Sequence, residues 1–422
     1  MEVEIIKNLV LLITAKLMSL LGSKLYGFAM SYYILKLTGS GLAFGLSVAF
    51  TALPSAAMAP FAGVIADRFN KKKILINADI ASGVIMLVFF TYTHLVPIKV
   101  PYIYLSIFLL AVLGSLYETN LSASIPALVG QNLLKKANSL DQSVSSLCNI
   151  LSPVLGGVIF AMVDIRLFIL INGISFWFSA ICQSFLKFKH QEDSGKKDSA
   201  VPVINALLEG WNYIRSIRFL NLLFVFAIIS NFTYHVGFTV CFPYIATSII
   251  GLNSWQFGIA RGALSIGSLV TAMIVSLKSG KAEEGEAKYP VVAICGLAIT
   301  LLFLGAAGLP VLDVPENNLP FLMLFAISFT VGIFIVLVNI PITILIQRVS
   351  EEQYLGRVMG LINCSANLAI PAAMLIAGYL VDTIPAFILP IAGGLLLLLA
   401  GLRLSSVQSA AGNKNAVEMM ED

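Results

Sequence analysis

Gly63-Val-Ile-Ala-Asp67-Arg68-Phe-Asn-Lys71-Lys72-Lys73 joins two apolar runs, at about 42–66 and 74–95. Each run is long enough to cross a bilayer as a helix, which takes about 20 predominantly apolar residues. The junction packs five charges into positions 67–73 and belongs in water. Working outward, the same alternation recurs along the chain. Further runs lie near 8–36, 101–124, 139–162, 166–187, 219–247, 255–277, 290–310, 320–346, 357–380 and 385–404. They are too long and too continuously apolar for barrel strands, so helices are the spanning element. Composition agrees: 58% of residues are hydrophobic and 11% charged, against about 25% charged in soluble domains. The pattern predicts an all-α membrane protein with twelve transmembrane helices.

Lys and Arg in the connections orient the spans, because cytoplasmic loops carry an excess of them. With the N-terminus inside, twenty basic residues fall on cytoplasmic segments and three, Lys36, Lys99 and Arg166, on outer ones. Lys16, Lys24 and Arg261 lie within spans. Both termini are therefore expected in the cytoplasm of a multi-pass protein of the cell's inner (plasma) membrane. The organisation expected is a six-helix bundle over 1–187, a cytoplasmic linker over 188–218, a second bundle over 219–404 and a tail over 405–422. Within the linker, Ile204, Leu207, Leu208, Trp211 and Ile214 recur at helical spacing, which predicts a short amphipathic helix on the membrane surface. A faint repeat links the halves: Leu134, Lys136, Leu140 and Gly157 match Leu355, Arg357, Leu361 and Gly378 at one offset of 221. Such repeats occur in transporters and place the substrate site between them near the midplane.

The junction quoted above resembles the G-x-x-x-D-R-x-x-[RK]-[RK] signature of the major facilitator superfamily, in the loop where that family carries it. Ser19-Leu-Leu-Gly-Ser23, Tyr33, Thr38-Gly39-Ser40, Ala78-Asp79, Ile125-Pro126-Ala-Leu-Val129, Ala137-Asn138 and Leu355-Gly-Arg357-Val-Met-Gly-Leu361 are similar to the branch containing macrolide-efflux proteins and enterobactin exporters. Ser82 stands where that branch often has Arg, and Ser152-Pro153-Val-Leu-Gly156-Gly157 resembles the antiporter motif with its first Gly replaced. The resemblance implies two pseudo-repeated bundles, alternating access, and secondary active export of a hydrophobic or amphipathic compound by proton antiport. It also assigns a gate. Gly63 would let helices approach closely, and Asp67, at the end of span two where its own dipole repels it, would face the start of span eleven near Gly356. Arg68 would pair with Asp79 or Asp141, Lys71 belongs to the same gate motif, and Lys72 and Lys73 serve as cytoplasmic anchors.

Ionisable residues inside a span cost at least ~2.5–3.5 kcal/mol on insertion scales and are functional hypotheses by default. Glu118 is the one carboxylate well inside. Lys16 shares its depth, and Lys24 lies nearer the midplane, so a pair of Glu118 with either lysine is expected. Glu118 is the candidate proton carrier or cation site. Arg261 in span eight suits an anionic group or snorkelling, and His235 in span seven is a further proton candidate. Tyr26, Phe28, Met30, Phe232, Tyr234 and Phe238 offer aromatic, adaptable surface that suits lipid contact or an amphipathic ligand.

The sequence contains no G-x-x-x-x-G-K-[ST] loop to cradle ATP phosphates, no H-E-x-x-H and no G-x-S-x-G. Five scattered cysteines form no metal pattern. The expectation is a transporter and not an enzyme, with no cofactor and no metal, working as a monomer. Its partners are a small-molecule substrate, protons and the lipid bilayer, and no nucleic acid. Rival readings are a siderophore or lysophospholipid transporter and a non-transporting membrane receptor. The orientation has a direct test: Ser194→Cys should resist an impermeant maleimide applied to intact cells and react after permeabilisation, and labelling from outside would reverse the topology.

Overall fold

The computed structural model describes residues 2–68, 70–129, 133–187, 203–278, 289–309 and 318–411. Among them every regular element is a helix. A bilayer offers no partner to a bare N–H or C=O, and only a helix satisfies both within one segment. The order is α1 (Glu2–Thr38), α2 (Gly41–Arg68), α3 (Lys71–Leu95), α4 (Val100–Val129), α5 (Leu134–Met162), α6 (Ile165–Ser184), α7 (Val203–Ser216), α8 (Arg218–Tyr234), α9 (Cys241–Tyr244), α10 (Ser254–Lys278), α11 (Tyr289–Ala307), α12 (Leu319–Val349), α13 (Glu352–Thr383) and α14 (Ile388–Ala411). Among the described residues, eight helices are long and apolar enough to cross a membrane by themselves. Shorter apolar stretches in α2, α11, α13 and α14 complete the twelve. Span seven is α8 continued through π-helical turns, His235–Val240 and Ile245–Ile249, around α9. Pro243 sits at the centre of that stretch; it has no N–H to donate, and wide turns absorb the fault.

The chain forms two compact units: residues 1–39, 46–195 and 253–262, and residues 40–45, 196–252 and 263–422. Thus the first turn of α2 belongs to the second unit and the start of α10 to the first.

In the first unit α1 is the central post. It runs parallel to α5, and the matches climb together: Lys16 with Asp141, Leu20 with Val144 and Cys148, Phe28 on Gly156, Tyr32 on Phe160. On its other side Tyr26 bonds Ser106 of α4 at 2.6 Å. Its N-terminal end is clamped by Asn8, whose amide donates to the Lys187 carbonyl at 2.8 Å and accepts from the Lys187 N–H at 3.1 Å. Glu4 lies 2.9 Å from the Lys187 ammonium, and this hydrogen bond raises the lysine's pKa.

The second unit packs span seven on α13 and α14, and α11 on α12 and α14. Here α7 packs on the helices of its own unit. Ile214 is fully buried, Trp211 meets Phe224 edge-on, and Tyr213 stacks on Tyr354 at 4.3 Å. The Tyr213 hydroxyl also accepts the Glu351 N–H at 2.9 Å, capping the start of α13.

One crossing is built twice. In the first unit, a Cβ on Gly157 of α5 would lie 2.5 Å from the Ser254 carbonyl, and one on Gly258 of α10 would lie 2.6 Å from the Pro153 carbonyl. In the second, a Cβ on Gly378 of α13 would lie 2.7 Å from the Gly41 carbonyl, and Gly45 of α2 abuts the Met374 carbonyl. Pro153 and Gly157 lie 221 residues before Met374 and Gly378, and Gly41 and Gly45 lie 213 before Ser254 and Gly258. The sequence repeat is therefore a structural one, and glycine is required because backbone meets backbone. Gly157→Val should lower stability by about 1–3 kcal/mol, the usual overpacking cost, in thermal unfolding of the purified protein. Gly114→Val, at a site with no neighbour within 4 Å, should stay within about 0.5 kcal/mol of the parent.

Candidate functional site

Three settings hold the charged residues that the sequence singles out most strongly. Lys16 is the first. Its Nζ lies 2.5 Å from Asp141 Oδ1, with side-chain exposures of 6% and 18%, and it also reaches the Asp141 carbonyl at 3.2 Å. The expected pairing of Lys16 with Glu118 is thus replaced. Lys16 projects from the side of α1 that faces α5, whereas Glu118 is exposed on α4 and makes no hydrogen bond or ion pair with any described residue. Shared depth brought them together in the sequence; helix rotation separates them. Lys24, two turns above Lys16, is half-buried and likewise has no described partner, with the Cys148 thiol within electrostatic reach.

Asp79 is the second setting. It is 1% exposed. Ser19 of α1 donates to its Oδ1 at 2.7 Å and Gln183 of α6 to its Oδ2 at 2.5 Å. The same amide nitrogen lies 2.9 Å from Ser179 Oγ and 3.3 Å from the Tyr117 hydroxyl of α4. Ser179 in turn donates to the Ala15 carbonyl at 2.8 Å. Four helices are tied through one carboxylate, and Gln183 Oε1 is left buried without a partner among the described residues. Gln183, Tyr117 and Ser179 do not stand out in the sequence; the available signal is that Ser179 and Gln183 are four apart on one face of an apolar helix.

The third setting is the signature loop. The backbone of α2 carries Gly63, Asp67 and Arg68, but their side chains lie outside the described residues, so the expected facing of Asp67 to span eleven and the pairing of Arg68 with Asp79 or Asp141 fall there too. Asp79 and Asp141 have the partners given above. Asn70 caps α3 by accepting the Lys73 N–H at 3.2 Å. Lys71 is half-buried. Lys72 does more than anchor: its ammonium reaches the Ser184 and Leu186 carbonyls at 2.6 and 2.7 Å, completing the C-terminus of α6, where a cation suits the helix dipole.

In span seven His235 is half-buried, with Nδ1 3.0 Å from the Thr239 hydroxyl. Arg261 is half-buried on α10. The aromatic surface is less available to lipid than its composition implies. Tyr26, Met30 and Phe238 are at most 1% exposed, because α1 and span seven are interior posts of their units. Phe28 stacks on Phe257 at 5.5 Å.

A family profile for the Major Facilitator Superfamily matches residues 12–373. Macrolide efflux protein A of Streptococcus pyogenes is 23% identical over 370 residues, covering 87% of each chain. The enterobactin exporter EntS of Citrobacter koseri is 31% identical over 147 residues, 35% of each chain. Among solved structures, the nucleoside transporter NupG superposes with a TM-score of 0.71 at 11% identity, over 94% of this chain and 98% of that one; at that identity it shares the fold alone.

The Lys16–Asp141 pair generates a test. Asp141→Asn leaves a buried ammonium uncompensated and should cost about 3–5 kcal/mol, while the double change Lys16→Met, Asp141→Leu should recover most of it. A double-mutant cycle on unfolding of the purified protein reads this directly, and additive single effects would mean the pair is not coupled.

Proposed function

This chain belongs to the Major Facilitator Superfamily, and on that premise we propose that it exports a hydrophobic or amphipathic small molecule by alternating access, driven by proton entry. The observation that carries the reading is the similarity to macrolide efflux protein A across 87% of both chains. The partial similarity to an enterobactin exporter supports the same direction of transport and favours, as a second reading, a siderophore substrate. The protein works as a monomer in the plasma membrane with both termini in the cytoplasm.

Glu118 carries the coupled proton. It is supported in that role by its place within α4 and by the absence of a described partner. Lys16 is already neutralised by Asp141, so Glu118 is not held as half of a structural pair with it. Such a carboxylate can take a proton from outside when access opens there and release it inside when access reverses. Lys24, half-buried on α1, orients a polar or anionic group of the substrate. Asp67 gates the inner side.

The decisive experiment uses liposomes with an imposed pH gradient and a macrolide as probe. The parent should accumulate it uphill. Glu118→Gln should fold normally, retain counterflow and lose pH-driven accumulation by at least about tenfold, the equivalent of one pKa unit of coupling energy. Uphill, pH-dependent transport by Glu118→Gln would assign the proton elsewhere, with Asp79, Asp141 and His235 next. Failure of the parent to move any compound of an amphipathic panel would refute export.

A further inference from the structure

Two cations of the first unit share one level of its packing. Residues 253–262, the start of α10, belong to that unit together with α1 and α5. Side chains of α1 and α10 meet in sequence: Tyr32 Oη lies 3.1 Å from Ser254 Oγ, Tyr32 stacks on Phe257 at 5.1 Å, and Phe28 stacks on Phe257 at 5.5 Å. A step back along α1 matches a step forward along α10, so the two helices run antiparallel. The next turn in this register carries Lys24 on α1 and Arg261 on α10, each four residues from its phenylalanine and on the same face. Their common neighbour α5 gives the same level. A Cβ on Gly156 would lie 2.7 Å from the Phe28 ring. About two turns back along α5, Cys148 is within electrostatic reach of Lys24. Between them, a Cβ on Gly262, next to Arg261, would abut Val154 and lie 3.7 Å from the Ile150 carbonyl.

The sequence places no acid at this level. α6 and α10 contain no Asp or Glu, α1 has none beyond Glu4, α5 none after Asp141 and α4 none before Glu118. Asp141 and Asp79 lie nearer the N-terminus of α1, where Lys16 and Ser19 bond them. Glu118 follows Tyr117, whose hydroxyl faces Gln183 in that same layer. Lys24 is half-buried and bonds no described residue. Its position lies about 21 Å from Thr38, the end of α1, at 1.5 Å per residue, and the stacked rings of Phe28, Tyr32 and Phe257 stand in between. Snorkelling along α1 to that surface is therefore out of reach. Arg261 is half-buried, and a guanidinium has enough N–H donors to serve its neighbours and a ligand together. Two like charges at one depth in apolar surroundings repel each other and are costly to hold; an anion bound to both relieves that cost.

We propose that Lys24 and Arg261 form a binding site for the anionic group, a carboxylate or sulfonate, of an amphipathic compound whose aromatic or apolar body lies against the Phe28–Phe257 stack. The guanidinium takes such a group through two parallel bonds, and the ammonium adds a point charge. The proposal rests on the transport reading given above and narrows its substrate class to anions.

The test separates charge from shape. Naphthalenesulfonate and naphthalenesulfonamide share an aromatic body and differ in charge. Each is titrated into the purified full-length protein in a neutral detergent, and the rise in unfolding temperature reports its affinity. The sulfonate should bind at least about tenfold more tightly than the sulfonamide. Lys24→Gln and Arg261→Gln should each weaken sulfonate binding about tenfold, the worth of one hydrogen bond to a charged group. Arg261→Lys should keep more of the affinity than Arg261→Gln. Lys36→Gln, near the end of α1 over the Phe160 ring, should bind the sulfonate as the parent does, because it changes net charge and not the site. Without ligand, Lys24→Gln should unfold at no lower temperature than the parent, so lost binding is not lost folding. Equal affinities for the two compounds overturn the proposal, as does undiminished sulfonate binding by monodisperse Lys24→Gln and Arg261→Gln proteins. Displacement of the sulfonate by phosphatidylglycerol but not by naphthalenecarboxylate would assign the cations to a lipid headgroup and overturn it too. Charge-selective binding, lost in both variants, by a protein that accumulates no compound would refute the transport reading and leave the site; uphill transport by a protein that binds both compounds equally would do the opposite.

Discussion

The hydrocarbon of a bilayer offers no hydrogen-bond partner, and the rest of this structure depends on that constraint. It makes every described span a helix, since only a helix pairs its backbone within one segment. It also favours a hydrogen-bond partner for a polar side chain inside a span, on its own helix or on a neighbouring one. Asp79 meets it with Ser19 and Gln183, and Lys16 meets it with Asp141. With the Ser179 bond to the Ala15 carbonyl, these bonds link α1 to α3, α5 and α6.

Small residues set the closest helix crossings. Two lipid-facing helices gain little from hydrophobic association, and close backbone packing replaces it. The α5–α10 and α2–α13 crossings show this twice, with Gly157 and Gly258 in one and Gly41, Gly45 and Gly378 in the other. The same geometry is reached with different caps. Asn253 and Gln256 close α10 locally, while α2 relies on Asp382. Equivalent packing with unequal electrostatics separates what the fold requires from what has been added to it.

Glu118 and Lys24 stand apart because neither has a described partner. Where the buried ionisable groups Asp79 and Lys16 are hydrogen-bonded or paired, a group inside a span without such a partner is stable with access to water or to a ligand. That argument concerns the site and not the fold, which NupG shares at 11% identity; fold likeness at that distance carries no substrate with it.

The sequence by itself determined the class of this protein. Run length gave twelve spans, the Gly63–Lys72 junction and the 221-residue repeat marked the family pattern, and charges inside spans marked the residues of interest. These features are legible because hydropathy, depth and periodicity are properties of a single segment. Partner choice is not such a property. Lys16 lies at the depth of Glu118 yet bonds Asp141, and Lys72 reads as an anchor yet completes α6. Each outcome depends on which helix lies opposite and how it is rotated about its axis. Only the packed tertiary structure sets those two quantities, because helices far apart in sequence share no local signal that records their rotation.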